Sequence, residues 1–401
     1  MPREYDVIVA GAGPAGTSSA QILARCGHRV LLVDKERFPR DKPCGGGVTF
    51  KCREPLERLG LWDAFRKTSP FCARGYSLCF SDFSQLSVRW HDADPRSAIY
   101  ITRRQEFDLR LLEAALSYDK VRFAAGCKVK DLLWSGTQVC GVRLEGGEHA
   151  EHRAPLVIDA TGAAATLVAK AGLLSTDPKT CALAVRGYFS GMRHLDESIE
   201  LYFDEIILPG YYWIFPVSSE TANIGCGSFQ HIIQNRRVNL RKLLEGFLRN
   251  HRVASRKARD AVPCGPLRAG RIPLAMEHDR SRVGDGLLAV GDAAAFVNPV
   301  TAEGISYALI SGIMAAEVGA AALARGEFSR SALEAYDALW NARFGDQFGK
   351  SVFLTGGLPP DAYSQYVVAS LKKSASVEAA QSDPGKQYEL MVKLKAIMKS
   401  L

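Results

Sequence analysis

The sequence predicts an α/β fold: a parallel sheet built from distant chain segments, interleaved with an antiparallel sheet and followed by a helical C-terminal segment. Three observations predict it. A short apolar run, Tyr5 to Ala10, ends in glycines and leads through a helical pattern into a second apolar run, which is a βαβ opening. A similar strand-then-helix pattern returns near residue 290. Between the two, Thr180 to Phe229 breaks into strand-like stretches separated by turns, as an antiparallel sheet does.

The elements follow in order. Pro14 to Cys26 reads as a helix and Arg29 to Val33 as the second strand. Gln105 to Ser117 is a helix with Phe107, Leu111, Leu112 and Ala115 on one face. Cys127 to Leu144 alternates and turns at Ser135-Gly136, so it is a hairpin. Leu156 to Ile158 is a buried strand, Leu240 to Asn250 a helix, and Gly286 to Val290 a strand before a long helix beginning near Ala302. This layout assigns 1–70, 101–180 and 265–345 to the parallel-sheet domain and 71–100 and 181–264 to the second domain. Residues 346–401 form the helical segment, with Ser374 to Lys386 its most linker-like part.

Composition narrows the function classes. Hydrophobic residues are 47% and charged residues 23% of 401, the profile of a folded soluble chain. The net charge of +8 favours nucleotide phosphates, an anionic membrane surface or an acidic redox partner. No basic block with interleaved aromatics appears, so nucleic acid is not an expected partner. Ten cysteines without a CxxC pair argue against zinc and against a disulfide framework, and for reduced thiols in the cytoplasm. A strand starting at Tyr5 leaves no room for a signal peptide. Ala302 to Ala324 is the most membrane-like run, but Glu303 and Glu317 interrupt it, and its Ala and Gly residues suit a close-packed buried helix. Lys386 to Leu401 is amphipathic, with Leu390, Leu394, Ile397 and Leu401 on one face and Lys393, Lys395 and Lys399 supplying charge. It either docks on the protein's own surface or makes peripheral contact with an anionic membrane.

The first chemical motif is Gly11-Ala-Gly13-Pro-Ala15-Gly16, a GxGxxG between a strand and a helix. Asp34 ends the next strand 21 residues beyond Gly13, near the spacing of about 20 that a Rossmann-type dinucleotide fold requires. Gly11 permits the tight turn, Gly13 a close approach to a pyrophosphate, and Gly16 close packing of helix on sheet. The helix N-terminus offers unpaired N–H groups to the phosphates, and Asp34 can accept from an adenosine ribose. Ala15 and Lys35 complete the expected nucleotide cradle. A second motif runs from Leu287 through Gly291-Asp292 and Asn298-Pro299 to Glu303-Gly304-Ile305, where the long helix starts. A carboxylate at Asp292 can bind a ribityl hydroxyl, and the helix N-terminus can stabilise negative charge on a reduced isoalloxazine. NAD has no ribityl chain, so the pair of motifs predicts a Rossmann-type FAD-binding domain. No second GxGxxG follows a strand, which leaves NAD(P)H docking in the single cleft, or a small ferredoxin-like redox protein, as electron donor.

These residues resemble the geranylgeranyl reductase family, within the flavoprotein superfamily that also holds aromatic hydroxylases and halogenases. The resemblance rests on Lys42-Pro43-Cys44-Gly45-Gly46-Gly47-Val48-Thr49, on Tyr211-Tyr-Trp213-Ile-Phe215-Pro216 as Y-x-W-x-F-P, and on Arg104, Phe107, Asp108 and Leu111 as R-x-x-F-D-x-x-L. It implies that Arg104, Cys44 and Gly45 lie near the flavin. It also implies that Tyr211 and Trp213 wall an apolar small-molecule substrate whose carbon–carbon double bond is reduced. By residue type alone, Cys44 is either a reactive thiol or a small space-filling residue, and the aromatic stripe either a substrate wall or ordinary core. Three departures stand out: Pro209 lies one residue later than the family's usual proline, Ala302 holds a common glycine position, and Asp159-Ala-Thr161-Gly162 replaces the hydroxylases' Asp-Gly. Alternatives are a flavin-dependent monooxygenase, a halogenase (although the aromatic motif is not W-x-W-x-I-P), and a non-enzymatic prenyl-binding protein.

Overall fold

The computed structural model describes residues 4–68, 70–83, 85–89, 98–146, 150–173, 177–277 and 280–356. Two large sheets organise it. The first runs Val283–Gly284, Leu287–Ala289, Leu156–Asp159, Val7–Ala10, Val30–Asp34, Val121–Ala125, all parallel except the short edge strand Val283–Gly284. Val7, Ile8, Val9 and Ala10 are all completely buried, which explains their unbroken apolar run: a strand with neighbours on both sides and helices on its faces has no wet side. Chain order reverses at this strand, since its partners Val30–Asp34 and Leu156–Asp159 lie on opposite sides. That is the switch point at which open α/β sheets bind ligands.

Helix Pro14–Arg25 covers this sheet and is crossed by Ile305–Arg325. Small residues make the crossing close. A side chain at Gly312 would start 2.3 Å from the Ala15 carbonyl oxygen. Ser18 and Ser19 donate to the Leu309 and Gly312 carbonyls at 3.3 and 2.9 Å. Ile305–Arg325 is long and apolar enough to cross a membrane, yet every residue from Ile305 to Ala316 is buried within the protein. Its outer face packs on Ala335–Gly356 through Tyr307, Trp340, Phe344 and Phe348, and Trp340 stacks on Phe296.

The second sheet runs Val262–Pro263, Cys181–Ser190, Thr221–Phe229, Tyr211–Pro216, Ser198–Tyr202, Gly75–Cys79, Gln85–Arg89. Its alternation sorts two faces. Val185, Tyr212, Ile214, Ile224 and Cys226 pack under helix Leu240–Asn250 through Leu244 and Phe247. The intervening residues, Arg186, Tyr188, Trp213, Phe215 and Asn223, point the other way. The hairpin expected over 127–144 is Lys128–Ser135 with Gln138–Glu145, extended by a third strand, Glu151–Arg153.

Three boundaries differ from the sequence expectation. Arg268–Pro273, placed with the parallel-sheet domain by its number, pairs along Cys181–Arg186 in the second sheet, where the backbone ladder with that distant strand decides its place. Phe71–Ala73 and Ile99–Ile101, whose residues up to 100 are placed in the second domain, form a small separate sheet with Gly47–Val48. Helix Ala335–Gly356 runs through the expected break at 345/346. The linker-like stretch 374–386 and the amphipathic segment 386–401 lie outside the described residues.

Candidate functional site

The two glycine motifs meet at the switch point. Gly11 sits at φ +112, and a side chain there would start 2.1 Å from the Ala160 carbonyl oxygen. The contact is therefore with the neighbouring strand's end, in addition to the turn. A side chain at Gly16 would start 1.8 Å from the Gly11 carbonyl oxygen, so the helix can begin only with glycine there. Gly13 behaves differently: the nearest atom to its absent Cβ is Arg40 Nη2 at 3.7 Å, which leaves a space in front of the helix N-terminus. Asp34 closes the turn by accepting from Ala12 N at 2.8 Å and Glu36 N at 2.9 Å. Lys35, just beyond it, is exposed.

Gly291, at φ +59, brings the second motif against the first, its absent Cβ 3.0 Å from the Ala15 methyl. Gly304 caps Ile305–Arg325 with no room to spare beside Val297, and its Cβ position lies 3.5 Å from Asp292 Oδ1. Asp292 and the start of that helix thus share one spot. The helix begins at Ile305, three residues later than expected, because Ala302 adopts a left-handed backbone at φ +54. Asp159 serves a different purpose. It accepts from Thr161 N, Leu167 N and Val168 N, and so caps the short helix Thr166–Lys170.

Charged side chains line the same crevice. Asp108 is fully buried and accepts two 2.7 Å bonds from Arg104, while Arg40 reaches it at 2.8 Å. Burial alone would raise the Asp108 pKa, but Arg104, then Arg40 and Lys42, hold it below the usual carboxylate value. Burial likewise opposes the Arg104 charge, and Asp108 followed by Cys44 overrides it and keeps the guanidinium firmly protonated. Lys42 donates to Asp292 Oδ2 at 2.8 Å. Against desolvation, that lysine and Arg104 hold Asp292 ionised. Arg186 pairs with Asp41 and donates to the Lys42 carbonyl at 3.0 Å. Four cations (Arg40, Lys42, Arg104, Arg186) therefore face three carboxylates (Asp41, Asp108, Asp292), leaving the cluster one charge positive.

The aromatic stripe closes the other side. Gly45 lies directly under it: a Cβ there would be 2.8 Å from the Phe215 ring and 3.7 Å from Trp213 Nε1. Cys44 is half-buried, its Sγ accepts from Gly46 N at 3.4 Å, and Arg104 reaches the same sulfur. Trp213 donates through Nε1 to Asn223 Oδ1 at 3.0 Å, and Asn223 Nδ2 donates to the Cys44 carbonyl at 2.8 Å. Tyr211 donates to the Thr301 carbonyl at 3.2 Å. Burial, with the nearby Cys44, pushes the Tyr211 pKa up to about 12. Sequence reasoning thus named residues from six separate segments, and left out Arg40, Asp41, Arg186 and Asn223.

The comparisons agree with this geometry. Residues 6–176 match the family model described as FAD dependent oxidoreductase. A menaquinone reductase of Mycolicibacterium smegmatis is 33% identical over 79% of this chain and 77% of its own length. A digeranylgeranylglycerophospholipid reductase of Methanopyrus kandleri is 32% identical over 86% of this chain and 84% of its own. The chain belongs to the geranylgeranyl reductase family of FAD-dependent oxidoreductases. A solved geranylgeranyl bacteriochlorophyll reductase-like protein of Thermoplasma acidophilum has the same fold, with a TM-score of 0.81 at 21% identity over 99% of both chains. A myxobacterial chondrochloren halogenase has it too, with a TM-score of 0.73 at 22% identity over 98% of both. At those identities the neighbours speak for the fold alone. The cleft residues fit the family's flavin: the space before Gly13 suits a pyrophosphate, and the surplus positive charge suits its phosphates.

Proposed function

We propose that this reductase family member adds two hydrogens across a carbon–carbon double bond of an apolar, polyprenyl-type substrate. The observation that carries the reading is the packing of Trp213 and Phe215 directly on Gly45, beside Cys44, on the sheet face turned to the FAD cleft. That face continues into a packed apolar cluster holding Phe215, Leu201, Tyr76, Ile199 and Ile101, the apolar character a hydrocarbon substrate requires of its wall.

In this reading Gly13, the Pro14–Arg25 helix N-terminus and Arg40 would hold the pyrophosphate of FAD, Asp34 would bind its ribose, and Asp292 with Gly304 its ribityl chain. Reduced FAD supplies a hydride when bound. Trp213 and Phe215 hold the double bond and exclude water. An isolated alkene has no carbonyl to take up charge, so the second carbon requires a proton. Tyr211, whose hydroxyl is neutral at any physiological pH, Cys44 and water are the candidate sources of that proton. The electron donor is NAD(P)H or a ferredoxin-like protein. Rapid bleaching of the oxidised flavin by one and not the other identifies it.

Trp213→Ala tests the wall. Turnover with a menaquinone or digeranylgeranylglycerophospholipid probe should fall at least about tenfold while FAD stays bound, since the indole touches the substrate side and not the nucleotide cradle. Equal loss of FAD and turnover would place Trp213 in the cofactor site and remove the observation on which the reading stands.

A further inference from the structure

We propose that Asn223 is a positioning residue that locks the apolar wall to the flavin-facing loop, so that Trp213 and Cys44 move as one unit. This rests on the reductase reading for its catalytic consequence, but not for its structural one. Asn223 is completely buried, between Ala222 and Ile224, the only amide on the strand Thr221–Phe229. An amide buried there is costly unless its polar atoms are satisfied. Both ends are: the carbonyl accepts from Trp213 Nε1 and the amino group donates to the Cys44 carbonyl.

The neighbours explain what the two bonds control. Trp213 lies flat on the sheet because position 225 is glycine. A Cβ there would be 2.2 Å from Cζ2 and 2.6 Å from Cη2 of the indole. With no side chain beneath it, the ring's in-plane orientation depends on the bond at Nε1. The loop has its own anchors. Arg186 holds Asp41 and the Lys42 carbonyl, Pro43 packs 3.1 Å from the Cβ position of Gly270, and Gly46 is pressed on the Thr102 carbonyl. Between Pro43 and Gly46, the Cys44 carbonyl is held to the sheet by Asn223. Cross-strand register puts Phe215 and Tyr188 on either side of Asn223, so the amide stands where the apolar wall gives way to the charged rim.

The two bonds can be separated chemically. Asn223→Asp keeps an acceptor for the indole and loses the donor to Cys44. Trp213→Phe keeps a ring and loses the indole donor. Asn223→Ala removes both. The readouts on the FAD-loaded full chain are FAD content, the visible circular dichroism of bound flavin, and Trp213 emission taken as the difference from Trp213→Phe. Turnover is read as hydrogen gained by the isoprenoid chain of the menaquinone probe, not by its quinone ring. FAD content should be unchanged. The flavin dichroism should change in Asn223→Asp and Asn223→Ala, and the Trp213 emission should shift in Asn223→Ala. Turnover in Asn223→Ala should fall about tenfold to a hundredfold. In the Trp213→Phe background the same substitution should cost less than about threefold, because one unit is already broken. Independent, multiplying costs would overturn the proposal, as would unchanged dichroism in both Asn223 variants. If Asn223→Ala does not fold, Asn223→Asp decides alone through its dichroism. If no probe is reduced, the reductase reading fails while dichroism and emission still decide the clamp.

Discussion

Replacing Asp108 with alanine strands two guanidinium groups. Asp108 is the fully buried carboxylate that accepts two hydrogen bonds from Arg104 (2.7 Å) and forms an ion pair with Arg40 (2.8 Å), and Arg104 is itself only 2% exposed. Removing one partner of a buried pair costs about 3–5 kcal/mol, because the remaining charge stays desolvated. With 401 residues and an unfolding entropy of roughly 2.1 cal/mol/K per residue, one kelvin corresponds to about 0.8 kcal/mol, so the melting temperature should drop by about 4–6 °C. FAD affinity should fall as well, since Arg40 no longer stands beside the phosphate turn at Gly13. The pH dependence has a definite sign. The Asp108 pKa is depressed in the folded chain, so its contribution is complete above the unfolded value near 3.9 and disappears as pH falls through the lower folded value. The difference between wild type and Asp108→Ala should therefore be flat from about pH 5 to 8 and shrink in acid. Scanning calorimetry of both FAD-loaded proteins across that range checks it. A shift below about 1 °C, or a difference that grows on acidification, would refute the buried-pair account.

Three further outcomes follow from the same geometry. Gly13→Val should reduce FAD affinity at least tenfold with little loss of secondary structure, because the side chain enters the space before the helix and meets no protein backbone; equilibrium dialysis of FAD checks it. Ala302→Gly should stabilise the chain by about 0.5–1 kcal/mol in urea, since Ala302 now bears a left-handed backbone at φ +54. Tyr211→Phe should leave the pH profile of FAD reduction unchanged below pH 10, because a hydroxyl with a pKa near 12 does not titrate there.

How much of this was legible in the sequence depends on how local each signal is. Gly11, Gly13, Gly16 and Asp34 act within one βαβ unit, so spacing alone exposes them. Gly291, Asp292 and Gly304 are readable for the same reason. Asp108 was visible as part of a motif, but its second partner, Arg40, comes from a different loop, and only tertiary packing joins them. Asn223 carries a weaker signal: a single amide between two apolar residues, which alternation places on the face of Phe215. Arg268–Pro273 was misassigned because two arginines, a glycine and a closing proline do not look like a strand, and its pairing is decided by a partner far away in sequence.

The central claim is that reduced flavin in this cleft delivers hydrogen to an isolated double bond, and anaerobic reoxidation tests it most directly. The FAD-loaded protein is reduced under argon, mixed with a menaquinone or a digeranylgeranylglycerophospholipid, and followed at about 450 nm, the usual absorbance of oxidised flavin. The account predicts return of the yellow flavin without oxygen and a product whose isoprenoid chain carries two more hydrogens, one product per flavin reoxidised. Two hydrogens gained only on the quinone ring would be quinone reduction and would contradict the account. Flavin that stays reduced until oxygen is admitted, with a product gaining one oxygen, would make this a monooxygenase and contradict the account. A requirement for halide as well would place its chemistry with the halogenases.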